Sequence, residues 1–287
     1  MKKLAIALLA ISISTACSNN SQETETAKEK VEVKDSTTPS KTEEDKAAEV
    51  KITEAEKSGK IDHSEWSKLL KKHVDNKGMV DYKGMAADVK KLDAYLEDIS
   101  KNPPAKNWDK NEKMAYWINA YNAFTVKLIL DHAIEGISSI KDIGKKPSIP
   151  FVNTPWDIKF IKIGGQEYDL NNIEHGILRK QFSDPRFHFA IVCAAESCPR
   201  LRNEAFTANK LDKQLDDEGQ YFLNNKFKND ISEKKAKLSP LFKWYSKDWE
   251  ANGKSVMEWV NKYSDTKIND KTNIGYTDYS WKLNGKL

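Results

Sequence analysis

The sequence has no aromatic residue before Trp66, only three cysteines in 287 residues, and a formal net charge of just +4. Each shortage excludes something. Residues 18–60 are dominated by Lys, Glu, Ser and Thr, with three valines and one isoleucine as their only large apolar residues. Such a stretch cannot bury enough apolar surface to offset the entropy of ordering it, and it reads as a disordered tether. A charge this small, which drops to +2 if Lys2 and Lys3 are removed with a leader, raises no field suited to nucleic acid. Three cysteines make no disulfide framework. Neither C-x-x-C nor H-x-x-x-H spacing occurs, which leaves zinc on His175, His188 and two cysteines as the weakest of the metal or thiol readings. No internal repeat is present, and no cofactor is implied.

What the chain does have is distributed unevenly. Residues 1–16, "MKKLAIALLAISISTA", run from two lysines through an apolar stretch too short to span a bilayer into small residues, as a signal peptide does. Cys17 follows at once, and its placement resembles a bacterial lipoprotein signal. That resemblance implies lipidation of Cys17, export, and anchoring to the cell envelope at the outer membrane; ordinary secretory cleavage with Cys17 lost or free is the alternative. All eight tryptophans and all ten tyrosines lie in residues 61–287, so one monomeric globular domain is expected there.

Within that domain, "SEWSKLLKKHV" predicts a helix with Ser64 as its cap, and "ADVKKLDAYLEDIS" a second, ended by Pro103 and Pro104. "NEKMAYWINAYNAFTVKLIL" is apolar nearly all round and predicts a central helix. Asn119 and Asn122, three apart, share a face of it and each needs a partner, either a backbone clamp or a ligand. Trp156, Ile158 and Phe160 alternate as a strand, with a Gly164-Gly165 turn after it. "NNIEHGILRKQF" reads as a short helix. Residues 187–193 read as a buried strand, with His188, Ala190 and Val192 on one face and Phe187, Phe189, Ile191 and Cys193 on the other. Thr207 is expected to cap a further helix, two short helices follow, and "IGYTDYSWKLN" predicts a returning strand. The sum is α+β, mainly helical, around a small mixed or antiparallel sheet.

Glu174, His175, His188, Cys193 and Cys198 crowd a chain that has only five histidines. A thiolate attacks carbonyl carbon if a histidine accepts its proton and a carboxylate orients that histidine. Cys198, in a turn fixed by Pro199, is the better nucleophile, with His188 as base and Glu174 or His175 completing the site. Cys193 reads as a core residue. A Cys193–Cys198 bridge in a noncatalytic ligand- or partner-binding lipoprotein is the competing reading.

The segments "YWINAYNAFTVKLIL", "IEHGILR", "FHFAIVCAAESCPRL", "LFKWYSKDW" and "YTDYSWKLN", in this order, resemble the domain-of-unknown-function family 547 over residues 108–284. The resemblance places family positions at Asn119, Tyr121, Asn122, Glu174, His175, Arg179, His188, Cys193, Ser197 and Cys198. Members resemble papain-like cysteine peptidases, which implies a thiol-dependent hydrolase acting on an amide, peptide or ester bond, with a peptide or peptidoglycan-like substrate. The order Glu174, His188, Cys198 would be a permutation of the cysteine-first order of those enzymes. If Cys17 carries the anchor, Cys17→Ser should move the protein from the membrane fraction to the soluble fraction, because each acyl CH₂ contributes about 0.8 kcal/mol of membrane affinity. Retention of the variant on membranes would place the anchor elsewhere.

Overall fold

Trp66, Leu69 and Leu70 recur at helical spacing, and helix α1 (Ser64–His73) buries all three. The computed structural model describes residues 60–144 and 154–287; the expected signal peptide, the expected lipidation at Cys17 and the expected disordered tether, up to residue 59, lie outside the described residues. Ser64 is the first residue of α1 and not its cap. His63 holds the cap position, and the Ser64 N–H and hydroxyl both donate to Asp62. Strand β1 (Val80–Asp81) leads into α2 (Tyr82–Ala87), where the Asp81 carboxylate accepts the Gly84 N–H at 2.9 Å. Helix α3 (Val89–Lys101) buries Leu92, Tyr95, Leu96 and Ile99 and stops just before the two prolines.

Helix α4 (Lys110–His132) runs through the core, and every side chain from Met114 to Val126 is buried. A capping box starts it, with Asp109 accepting the Glu112 N–H and Glu112 accepting the Asp109 N–H. Its two central asparagines clamp backbone. Asn119 donates to Phe206 O at 2.7 Å and accepts the Phe206 N–H at 3.0 Å. Asn122 donates to Ala190 O and accepts the Val192 N–H, both at 2.9 Å.

Residues 187–193 form no strand, contrary to the expected alternation of their side chains. Pro185 opens a 3₁₀ turn (Pro185–Phe189), helped by Asp184, which accepts the Arg186 N–H. The backbone after it then satisfies the Ala190 carbonyl and the Val192 N–H on the Asn122 amide. The Trp156 to Phe160 region also departs from a strand: Thr154, Pro155 and Asp157 build a 3₁₀ turn (Pro155–Asp157) there. The hairpin itself follows, pairing β2 (Ile161–Ile163) with β3 (Gln166–Tyr168). Gly164 and Gly165 have φ of 60° and 80°, the left-handed conformations that a two-residue turn demands at both centres.

Next come a π-helix (Asn172–Leu178), α5 (Arg179–Gln181) and, after the long loop, α6 (Leu211–Leu223). Lys210 holds the cap position of α6. Thr207 instead donates its hydroxyl to Asn209, and its N–H goes to Gln214. Strands β4 (Asp230–Ile231) and β5 (Lys235–Leu238) precede the short helices α7 (Leu241–Trp244), α8 (Ser246–Trp249) and α9 (Val256–Tyr263). The C-terminal segment supplies two strands. One, β6 (Asn273–Tyr276), joins β5 in parallel, and β7 (Gly285–Lys286) joins β1 in parallel.

The fold is α+β, with its strands divided among three small sheets: β1–β7, β2–β3 and β4–β5–β6. One apolar cluster surrounds α4; a second, of Phe222, Phe242, Trp249, Trp259 and Tyr263, packs around Phe189. Asn122→Ala should cost about 2–4 kcal/mol in denaturant unfolding, since it strands one buried carbonyl and one buried N–H. A loss below about 1 kcal/mol would mean that the clamp contributes little beyond an ordinary surface contact.

Candidate functional site

Glu174 and His175 sit on the π-helix, whose wider i→i+5 winding is frequent at functional sites. Asp169 and Asn172 tie its first turn reciprocally: the Asp169 carboxylate accepts the Asn172 backbone N–H at 2.6 Å, and the Asn172 side-chain Oδ1 accepts the Asp169 N–H at 3.2 Å. From this turn Glu174, only 6% exposed, faces α4 and accepts a hydrogen bond from the Tyr121 hydroxyl at 3.2 Å. Tyr245 lies close enough to feel the same carboxylate. Burial and the adjoining Glu174 charge push the Tyr121 and Tyr245 hydroxyls well above the ordinary phenol range, and Tyr279 is raised by the same two causes. All three remain neutral donors.

A second group of side chains adjoins the first. His188 Nε2 meets Asp248 Oδ2 at 2.8 Å, and the Arg179 guanidinium grips the same carboxylate bidentately at 2.7 and 2.9 Å. A further Arg179 N–H donates to His175 Nδ1 at 3.0 Å, which requires that nitrogen to be unprotonated. Tyr245 stacks on His188 with ring centroids 4.0 Å apart and lies 5.4 Å from the Arg179 guanidinium. Burial lowers the pKa of His188, and the Asp248 hydrogen bond only partly offsets this. Burial would raise Asp248, but the hydrogen bonds from His188 and Arg179 outweigh it and hold the carboxyl well below the usual carboxylate range. The pair is therefore a neutral imidazole donating to an ionised carboxylate.

The two cysteines are bonded to each other, with Cα atoms 6.2 Å apart. This corrects the assignment of Cys198 as a resting thiol and of Cys193 as a free core residue. Residues 194–197 turn tightly enough to bring both sulfurs together, helped by Ala194 at φ 56°, a left-handed conformation uncommon for a residue with a Cβ. The loop is laced to the C-terminal segment. Glu196 N–H donates to Lys282 O at 2.8 Å, the Ser280 N–H donates to Ser197 Oγ at 2.8 Å, and Ala195 bridges Leu283. Ser197 is thus a structural partner of that segment. The buried Lys228 ammonium donates to the carbonyls of Glu196 and Cys198, and burial brings its pKa down to about 8.

The orienting acid of His188 is Asp248, not Glu174, and no hydrogen bond joins His188 to a sulfur among the described residues. The sulfurs instead meet Tyr279, whose hydroxyl lies 3.1 Å from Cys198 Sγ and 3.4 Å from Cys193 Sγ. With both sulfurs bonded and no three of His, Cys, Asp and Glu converging on one point among the described residues, the zinc arrangement is not assembled. A half-buried aromatic wall completes the site. Tyr279 and Trp281 are 4.6 Å apart, Trp244 lies 4.8 Å from Tyr279, and Trp156 lies 5.7 Å from Trp281. The sequence reading did not single out Trp244, Tyr245, Asp248, Tyr279 or Trp281 as site residues. The signal for them was the density of aromatics around one aspartate in "WYSKDW" and "YTDYSW".

A family model described as "Protein of unknown function, DUF547" matches residues 105–223. That interval takes in Tyr121, Glu174, His175, Arg179, His188 and both bridged cysteines, and it ends before Tyr245, Asp248 and Tyr279. No curated protein and no solved structure matches the chain.

The depressed pKa of His188 has a definite sign in stability. Its folded value lies below that of the unfolded chain, so this contribution is full above about pH 6.5 and is lost as pH falls toward the folded value. His63, held down to about 4 by burial, acts the same way over 6.5 to 4. His188→Gln should therefore lose less stability than the parent between pH 6.5 and 4.5 in denaturant titrations, while the His63 share persists in both proteins. Parallel pH curves would show that His188 keeps an ordinary pKa in the fold.

Proposed function

We propose that this chain is an exported, lipid-anchored envelope protein that binds a peptide or peptidoglycan-like ligand at the Tyr- and Trp-lined site around Glu174, with no resting nucleophile. The observation that carries this reading is the Cys193–Cys198 bond, which occupies both sulfurs while His188 is paired with Asp248. Glu174 accepts its side-chain hydrogen bond from the neutral Tyr121 hydroxyl and meets no cation in any ion pair among the described residues, so its carboxylate is open to an amino group on a ligand. Half-buried rings beside it suit such a group, since an ammonium is attracted to aromatic faces by about 0.5–2 kcal/mol per contact. The indole N–H of Trp281 in the same wall is buried without an acceptor among the described residues, which fits a carbonyl-bearing ligand. A thiol count on the native protein without reductant should give none for Cys193 and Cys198. Titration with amine-bearing muropeptides should change tryptophan fluorescence, and Trp244→Ala or Glu174→Gln should weaken binding about tenfold, the effect of about 1.4 kcal/mol. Equal binding by both variants would sink the assignment of this site.

One observation favours a second reading, a papain-like cysteine hydrolase that works only after reduction. Cys198 Sγ has two hydrogen-bond donors, the Cys193 N–H and the Tyr279 hydroxyl, each at 3.1 Å, and both would stabilise a thiolate there. Ester or amide hydrolysis that appears on adding reductant and vanishes in Cys198→Ser would favour that reading over simple binding.

A further inference from the structure

The two sulfurs of the bridge are not equivalent. Cys198 is 2% exposed, whereas Cys193 is partly open to solvent. The donors are also unequally shared. Cys198 Sγ receives the Cys193 N–H at 3.1 Å and the closer approach of the Tyr279 hydroxyl, also 3.1 Å; Cys193 Sγ has only the longer 3.4 Å leg of that hydroxyl. Hydrogen bonds to a thiolate are charge-assisted and stronger than those to a bonded sulfur, so both Cys198 donors tighten as charge develops on it. A thiolate so stabilised is a better leaving group in exchange.

We propose that the Cys193–Cys198 bridge is a thiol-exchange site for a low-molecular-weight thiol, with Cys193 the sulfur attacked and Cys198 the sulfur released. In the first step an external thiolate, its proton already given to solvent, donates an electron pair to Cys193 Sγ. The Cys193–Cys198 bond breaks, and its pair leaves on Cys198 Sγ, held by the Cys193 N–H and Tyr279. In the second step another thiolate attacks the external sulfur of the mixed disulfide and frees Cys193 as a thiolate. Two external thiols are oxidised to a disulfide and the bridge is reduced by two electrons.

The loop is built to survive this opening. Its contacts to Lys282, Ser280 and Leu283, the Lys228 bonds to its carbonyls, and the Asn122 hold on Val192 all remain when the sulfurs part. Cys198 therefore stays within reach of Cys193 for closure. The left-handed backbone at Ala194, inside the bridged loop, is a place where strain is held by the surrounding bonds.

The test is a covalent map of the folded chain. The protein is treated with glutathione, quenched in acid, alkylated with N-ethylmaleimide and digested for mass analysis. The expected product carries glutathione on Cys193 and N-ethylmaleimide on Cys198. Glutathione on Cys198, equal labelling of both, or no adduct until denaturant is added would each overturn the proposal. Tyr279→Phe should form the same adduct about three- to tenfold more slowly, because it removes one donor from the leaving sulfur. An unchanged rate in a variant whose circular dichroism matches the parent would overturn the role of Tyr279, and the parent's adduct map stands by itself if the variant does not fold. This inference does not rest on the ligand reading above. The map contains no ligand, and the fluorescence titration reads no sulfur, so the failure of one is distinguishable from the failure of the other.

Discussion

In the middle of α4 a single side-chain amide takes the place of a neighbouring strand. Asn122 binds Ala190 O and the Val192 N–H together, and the backbone it holds leads directly into Cys193. A segment enclosed by apolar side chains has no water to bond, so without this amide two buried polar groups would be unpaired. Asn119, one turn earlier, does the same for Phe206. A helix with no charged residue among its buried positions thus organises two loops through two polar side chains. The site depends on this because Tyr121, between the asparagines, is aimed at Glu174 from the same rigid turn of helix.

The site's charges are arranged so that few of them compete. Arg179 holds Asp248 on one side and His175 on another, and the ionised Asp248 in turn fixes the His188 imidazole. Burial keeps that imidazole neutral although a carboxylate lies against it, because removing the ring from water costs more than the one hydrogen bond returns. Glu174 is left with neutral phenols. The bridge lies beside the aromatic wall, because Tyr279 places its hydroxyl on the sulfurs and its ring against Trp244 and Trp281.

Much of the framework was legible in the sequence. Apolar spacing predicted α1, α3, α4 and α6, and the short helical pieces after residue 238, because burial of one face or of a whole helix leaves a periodic trace. The Gly164-Gly165 turn was readable for a local reason: both positions need positive φ. Residues 187–193 misled because a run of buried side chains does not fix the backbone: Phe187 and Phe189, expected on one strand face, leave a 3₁₀ turn into two different apolar clusters. Caps were misplaced at Ser64 and Thr207 because a serine or threonine near a helix start can bond an aspartate or asparagine beside it instead of the helix.

The histidine, carboxylate and cysteine cluster in residues 174–198 was visible as composition, while its pairing was not. The sequence by itself determined where the folding drive lies, in the aromatic-rich residues after 60, and that Asn119 and Asn122 would need buried partners, because both follow from residue type and local spacing. Only the tertiary structure decided that the two cysteines bond each other, that Asp248 and not Glu174 serves His188, and that Tyr279 sits on the sulfurs. Those contacts join residues 60 or more positions apart, or turn on the angle of a loop held from elsewhere. No local propensity encodes such distances, since they are set by how the helices pack around α4.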